Sequence, residues 1–384
     1  MNSINRVVSK FESIFKNSPL LISSPGRINL IGEHTDYNDG FVLPAAIDKN
    51  MIFGFSKNNL KKLRIFSMDY DQMFECNINE IQKSDVRWAN YILGVIDQFQ
   101  KAGYSMKGFN CVFTSTIPIG AGMASSAALE CGIAFVLNTL FKLAIPISDQ
   151  VKYAQKAEHT FAGVFCGIMD QFASMMGKKD HAIKLDCRSL EYDYIPVKLE
   201  EYQFVLCNSG VKHELVDSEY NTRRNECEAG VVVIKKDYPE VSHLRDVTLN
   251  MLNTIRTEIP PAVFKRCKHV IEENERVNKA CDALKQENMY AFGELMYESH
   301  SGLSKLYEVS CDELDFLVDF TRNNANVLGA RMMGGGFGGC TINLIKRSAK
   351  KSFIKDITKA YKDHFNIDLE CYDVEIKDGT SIID

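Results

Sequence analysis

The stretch Ser24–Asp48, SPGRINLIGEHTDYNDGFVLPAAID, crowds an arginine, a glutamate, a histidine and three aspartates among three glycines and two prolines. Charged side chains at the edge of an apolar run are costly unless they pair or meet a ligand. This donor set suits a small polyhydroxylated molecule. Asp36 and Glu33 can each accept from two hydroxyls, His34 donates or accepts, and Arg27 adds a fixed positive charge. The alternative is a surface turn with a salt-bridged arginine, and the rest of the chain decides between them.

A second segment, PIGAGMASSAALE (Pro118–Glu130), has the chemistry of a phosphate cradle. Gly120 and Gly122 let backbone N–H groups approach an anion, the following helix turns its positive end toward it, and Ser125 and Ser126 add hydroxyls. A tight turn before a closely packed small-residue helix would read the same way. No lysine follows in a G-K-[ST] arrangement, so this is not a Walker A loop. Gly334, Gly336 and Gly339 match G-x-G-x-x-G, but a strand pattern follows them. A dinucleotide fingerprint instead follows a strand and opens a helix, so these glycines support another part of the site.

In FCGIMDQ (Phe165–Gln171), Asp170 sits near the start of a short helix, either as a cap or as a site carboxylate. Glu158 with a loop serine is a better metal pair than any His/Cys cluster, since Mg²⁺ takes one or two protein oxygens alongside phosphate oxygens and water.

These groups need a scaffold. Asn29–Ile31 and Phe41–Ala45 read as strands around a turn at Asn38-Asp39-Gly40. Trp88, Tyr91, Ile92, Val95, Ile96 and Phe99 recur at helical spacing and stop before Gly103. A strand over Phe109–Phe113 precedes the glycine loop, and a helix is predicted from Ser125 to Leu143. Ser148 is a candidate cap for a helix carrying Glu158 and ending near Gly163. Strands follow at His181–Asp186, Tyr192–Val197 and Phe204–Cys207, with Glu200-Glu201 as the crossing to a second domain. Asp217-Ser218 could cap the next helix. Helical patterns then run from Pro260 to Asn323, and Thr341–Ile345 alternates as a strand.

The 384 residues favour two domains. A net charge of −5, with a pI near 6.0, gives no basic field for nucleic acid or anionic membrane. The N-terminus lacks a signal peptide's apolar core, and no apolar run approaches the roughly 18 residues of a membrane span. Twelve scattered cysteines without a C-x-x-C pair fit free thiols in a reducing cytoplasm rather than structural zinc.

Three separated segments together resemble one family. GRINLIGEHTDYNDG is similar to the galactokinase signature, and PIGAGMASSAALE to the phosphate loop of the wider GHMP small-molecule kinases. GARMMGGGFGGCT resembles their C-terminal glycine motif. CGIMDQ, DCRSLE (Asp186–Glu191) and SEYNTRRNEC (Ser218–Cys227) fall in the matching order, so the resemblance covers nearly the whole chain.

The resemblance implies an α+β, two-domain GHMP kinase fold with the active site between the domains. Residues 1–199 would form an N-terminal α/β domain binding galactose and nucleotide, and residues 200–384 a C-terminal ferredoxin-like domain. The implied activity is ATP-dependent phosphorylation of the anomeric hydroxyl of α-D-galactose, with Mg²⁺ as cofactor and ATP as cosubstrate. Asp170 would be the base, with Arg27 as its charged neighbour reaching the transferring phosphoryl group. Glu33, His34, Asp36, Gly167 and Tyr220 would hold the sugar. Ser126 and Glu158 would hold Mg²⁺, while Gly120, Ala121, Gly122, Met123, Ala124, Ser125 and Ser126 cradle the triphosphate. Trp88 would lie against the adenine; its other reading is an ordinary core residue.

The expected enzyme is a cytoplasmic monomer whose partners are a sugar and ATP, not nucleic acid or membrane. Ala124 replaces a usual serine and Met333 a common threonine, the second expected to remove a hydroxyl near the phosphates. The rival expectations are a kinase for a related sugar such as N-acetylgalactosamine and a non-catalytic sugar- and ATP-binding regulator. The intact Ser126-Ala127-Ala128 argues against the regulator.

Overall fold

A computed structural model describes residues 3–118, 120–211 and 216–383, with the side chains of 216–218 outside that description. The capping side chains expected at Asp217-Ser218, and the loop residue Ile119, therefore lie outside that description.

The largest sheet has six strands, in the order β13 (Ser381–Ile382), β1 (Leu20–Asn29), β3 (Pro44–Lys57), β6 (Phe109–Ser115), β4 (Lys62–Ser67) and β5 (Gln72–Asn77). All neighbours are antiparallel except β4 against β6. The strand expected at Asn29–Ile31 in fact begins at Leu20 and ends at Asn29. Its serines, proline and glycine look like breakers, but a register shift between Pro25 and Arg27 absorbs them. The run Phe41–Ala45 is likewise divided. Phe41–Val42 is β2, paired with β7 (His181–Asp186), which pairs in turn with β8 (Tyr192–Pro196). From Pro44 the chain crosses into β3 of the large sheet.

Alternation along these strands sorts the side chains. Phe53, Phe55, Cys111 and Phe113 face the principal core, whereas Ile52 and Val112 meet Val7 and Phe11 of α1 (Ser3–Phe15) on the opposite face. The core side is covered by α2 (Arg87–Lys101), α3 (Ser125–Phe141), α4 (Ile147–Ala157) and α5 (Met169–Met176). As its spacing predicts, α2 stops just before Gly103, whose φ is 87°. Pro146, not Ser148, precedes α4: with ψ at 146° it already leaves the helical region, so Ser148 falls inside the first turn. Glu158 opens a single π-helical turn, Glu158–Ala162, that closes on Gly163 at φ 82°.

The second sheet runs β10 (Val327–Met333), β11 (Cys340–Lys346), β9 (Tyr202–Asn208), β12 (Glu370–Val374), antiparallel throughout. On one face Val205 and Ile345 pack against Leu317 of α10 (Asp312–Arg322) and Phe353 and Ile357 of α11 (Lys350–Phe365). On the other, Phe204, Leu206, Ile342 and Leu344 join the principal core with α8 (Pro261–Lys285) and α9 (Met289–Gly302). The long α6 (Val216–Asp237) and the short α7 (Leu249–Thr254) lie against α8. One apolar core thus runs through both halves, and the C-terminal strand returns to β1.

Where α9 crosses β10, Gly293 rests on the backbone of Leu328 and Gly329, and a Cβ there would collide with the Leu328 carbonyl. Gly293→Ala should cost ~1–3 kcal/mol of stability through overpacking. Urea unfolding followed by tryptophan fluorescence checks this, and an unchanged midpoint would show that the crossing can open freely.

Candidate active site

Arg27 lies just past the irregularity in β1, and three interactions fix it. Its backbone N–H donates to the Met123 carbonyl at 3.1 Å, and Nη1 donates to the Gly122 carbonyl at 2.5 Å. Nε and Nη2 donate to Oδ1 and Oδ2 of Asp170, both at 2.7 Å. This two-point geometry is the strongest form of an arginine–carboxylate pair. Gly26 permits the approach, since a Cβ at that position would stand 2.5 Å from the Met123 carbonyl oxygen. Burial alone would lower the Arg27 pKa, but the charges of Asp170 and Glu33 more than offset it.

Asp170 is the second residue of α5, and the cap position belongs to Ile168. Its carboxylate therefore serves Arg27 rather than the helix end. The Ser174 hydroxyl, one turn on, donates to the Pro25 carbonyl, and Ser24 shares a hydrogen bond with Thr380. These contacts hold α5 against β1, so that Asp170 meets Arg27.

The loop after β1 carries Glu33, His34 and Asp36, all buried or nearly so. Oε1 of Glu33 accepts from Arg331 Nη2 at 3.0 Å and from the Gly334 N–H at 2.8 Å. His34 adopts φ 63°. Burial, with His269 nearby, drives its pKa down to about 3, so the ring is neutral. Nε2 faces the Gly335 carbonyl at 3.2 Å, which can only accept, so Nε2 carries the proton. Nδ1 then accepts from the Tyr37 hydroxyl at 2.7 Å, which in turn accepts from Tyr307 at 2.7 Å. The Asp36 carboxylate presses against Gly167, leaving no room for a Cβ there. Tyr220 of α6 rests near His34 and Tyr37, with ring centroids 5.4 and 5.3 Å away.

These groups line one cavity of about 300 Å³, which Gly120–Ser126 and Glu158 border as well. Gly120 (φ 75°) and Gly122 (φ 67°) form the turn before α3. Ala124 sits at its N-cap in the left-handed region, φ 57°, where alanine is mildly strained and caps nothing. The C-terminal glycine segment contributes Gly334 and Gly335 to the same cavity, as its failure to match a dinucleotide fold anticipates. Met333 is buried in the principal core and is not among the cavity's lining residues, while its carbonyl stands beside Gly122. A second cavity, of about 540 Å³, shares Pro118, Ser125 and Ser126 with the first and is walled by Trp88, Tyr91, Phe113 and Leu129. Trp88 is thus both a core residue, against Phe113 and Phe74, and a cavity wall.

Ser126 and Glu158 both border the cavity, and burial with the charge of Asp170 pushes Glu158 up to about 7. Among the described residues no group of three or more His, Cys, Asp or Glu could hold a metal. A divalent cation would rest on Ser126 and Glu158 with phosphate oxygens completing its shell. The donors fit such an ion: both are oxygens, and the carboxylate sits in a site with an excess of negative charge.

Several site residues were not singled out from sequence: Tyr37, Tyr307, Arg331, Glu130 and Gln171. Glu130 had a signal, being the one charged residue in the 17-residue α3. Gln171 had adjacency to Asp170. Arg331 and Tyr307 had none, because their roles depend on contacts made roughly 300 residues away in sequence for Arg331 and 270 for Tyr307.

Burial, followed by the charge of Asp170, raises the Asp36 pKa to about 7. A carboxyl held above its unfolded value favours the folded state when protonated, and that advantage fades as pH rises toward the folded pKa. Asp36→Asn keeps the acceptor for the Tyr37 N–H and removes the charge. It should therefore unfold at a higher temperature than the parent at pH 8, by on the order of 1–3 kcal/mol, with the gap closing toward pH 4. Thermal melts across that range check it, and a variant no more stable at pH 8 would refute the buried-charge cost.

Comparison with known proteins agrees with this geometry. The galactokinase galactose-binding signature matches residues 9–57, the GHMP kinase N-terminal domain 90–178 and the GHMP kinase C-terminal domain 280–363. A galactokinase of Thermotoga neapolitana is 45% identical over 362 residues, 94% of this chain and 99% of that one. One from Clostridium acetobutylicum is 40% identical over 390 residues, spanning both chains completely. The crystal structure of Lactococcus lactis galactokinase complexed with galactose superposes with a TM-score of 0.96 at 34% identity, covering all of both chains. Methanococcus jannaschii mevalonate kinase, at 19% identity and a TM-score of 0.66, shares the fold. With identities of 40–45% sustained over almost its full length, the chain belongs to the galactokinase family of GHMP kinases.

Proposed function

We propose that this enzyme transfers the γ-phosphoryl group of ATP to the anomeric hydroxyl of α-D-galactose. The observation that carries the reading is the two-point Arg27–Asp170 pair, set where the hydroxyl-binding loop meets the glycine turn. The Lactococcus lactis relative, crystallised with galactose, supports the choice of sugar. Phosphoryl transfer asks a protein mainly for positioning and charge neutralisation. Asp170 receives the hydroxyl proton, Arg27 neutralises charge on the moving phosphoryl oxygens, and the Gly120–Ser126 turn holds the triphosphate. The cavity beside Trp88 takes the adenine.

Glu33, Asp36 and Tyr220 bind sugar hydroxyls, and Gly167 leaves room for the Asp36 carboxylate. His34 joins them by exchanging its Gly335 contact for the sugar. Ser126 and Glu158 hold Mg²⁺, which supplies positive charge to the phosphates. We further divide the chain into residues 1–199 and 200–384, and take the enzyme to be a cytoplasmic monomer. All twelve cysteines are free thiols, which suits a reducing compartment. Sedimentation of the purified protein tests the oligomeric state.

An ADP-release assay across galactose, glucose and N-acetylgalactosamine tests the substrate. Each carboxylate left unpaired by the wrong epimer should cost ~1–3 kcal/mol, so galactose should lead glucose clearly in kcat/KM. Comparable values would overturn the assignment. Asp170→Asn should lower kcat ~10²–10⁴-fold with galactose Kd little changed. Near-parental turnover by this folded variant would remove Asp170 from the chemistry.

A further inference from the structure

Beneath the proposed cation site lie two polar side chains, Glu130 and Gln171, that are not among the lining residues of either cavity. Glu130 of α3 is fully buried, and so is Gln171 of α5. Gln171 Nε2 donates to Glu158 Oε2 at 2.8 Å and to Glu130 Oε2 at 3.2 Å. The Cys166 thiol also reaches Glu158 Oε2, at 3.4 Å. Oε1 of Glu130 and Oε1 of Gln171 have no hydrogen-bond partner among the described residues.

This arrangement is costly as mere packing. An unsatisfied buried oxygen sacrifices its hydration, and α3 is otherwise apolar from Ala127 to Leu137. A leucine at 130 would avoid that loss. The placement shows what the cost accompanies. Glu130 stands one helical turn after Ser126 on the same face of α3, and Gln171 directly follows Asp170. One amide therefore joins the helix carrying the serine, the π-turn carrying Glu158 and the helix carrying Asp170. Carboxylates that bind metal are commonly oriented by such outer partners, whose loss weakens the site without touching the ion.

We propose that Glu130 and Gln171 are positioning residues, a hydrogen-bonded pair that aims the Glu158 carboxylate at the divalent cation and locks its position to α5. The proposal rests on the reading that Ser126 and Glu158 hold that cation. Glu130 acts as an acceptor for Gln171, so an amide in its place should serve and an alkyl group should not.

The test uses Mn²⁺ binding, read by electron paramagnetic resonance, to the full-length protein loaded with a non-hydrolysable ATP analogue. Galactose affinity is measured in parallel without nucleotide. Glu130→Leu and Gln171→Leu should each weaken Mn²⁺ binding ~10-fold or more, with galactose Kd unchanged. Glu130→Gln should stay within about threefold of the parent. Parental Mn²⁺ affinity in either folded leucine variant overturns the proposal, as does a tenfold loss in Glu130→Gln, whose near-identical shape secures its folding. Glu158→Gln separates the two levels. If it binds Mn²⁺ as the parent does, the cation reading itself fails and the proposal with it. If it weakens binding while the leucine variants do not, only the positioning role falls.

Discussion

Arg331 is a full positive charge sealed from solvent, and the site depends on how that charge is satisfied. Its guanidinium donates to the carbonyls of Leu30, Asn29 and Met332 and to the Glu33 carboxylate, at 2.5–3.0 Å. A buried cation with fewer partners would be destabilising by several kcal/mol. Those acceptors exist in this geometry only if the end of β1 lies against β10. Glu33 completes the arrangement by accepting from the Gly334 N–H, so a single charge pair orders the loop after β1 and the C-terminal glycine turn together. Other ties run in the same direction: Glu273 takes the Gly32 N–H at 2.9 Å, and Asn274 takes the Phe41 N–H at 2.8 Å. The loop that carries Glu33, His34 and Asp36 belongs in sequence to the first half of the chain, but the second half sets its shape.

With that frame fixed, the site gathers more negative charge than it can hold alone. Asp36, Asp170, Glu158 and Glu130 act on one another, and Arg27 is the cation placed directly among them. Burial and mutual repulsion push Asp36 and Glu158 up to about 7, and Glu130 well above the usual carboxylate range. That cost of burial and repulsion is built into the folded protein at the wall of the cavity. Electrostatic preorganisation of this sort is the usual source of large rate effects in phosphoryl transfer.

The parts legible in the sequence were those whose chemistry is local. Glycines at 120 and 122 announced a turn, the periodicity of Trp88 to Phe99 announced α2, and the crowded carboxylates Glu33 and Asp36 do come together at one cavity. Periodicity failed where tertiary structure overrode it. The first half of β1 was hidden because Ser23-Ser24-Pro25-Gly26 resembles a loop, and only pairing with β3 and contact with α5 make it a strand. Ser148 looked like a cap until Pro146 proved to set the helix start. Arg331 stood inside a motif already noticed, but nothing local distinguishes a buried structural arginine from a surface one. Tyr307 was invisible for the same reason, since its hydroxyl meets Tyr37 from 270 residues away in sequence.

His34 shows how these levels combine in one residue. Its φ of 63° is uncomfortable for a side-chain-bearing residue, and it is held there by hydrogen bonds from Asn38 to the His34 carbonyl and from Tyr37 to the ring. The Gly335 carbonyl, which can only accept, commits the proton to Nε2 and leaves Nδ1 to accept from Tyr37. Burial keeps the ring neutral across the working pH range, which removes a charge that would otherwise compete with Arg27 for the same carboxylates. The imidazole therefore offers a single directed N–H, now resting on a backbone carbonyl of the glycine turn. That contact spans 3.2 Å, and both of its partners line the cavity. The orientation, tautomer and charge of the histidine are thus set by Asn38, Tyr37, the Gly335 carbonyl and burial, none of which is visible in the residue type alone.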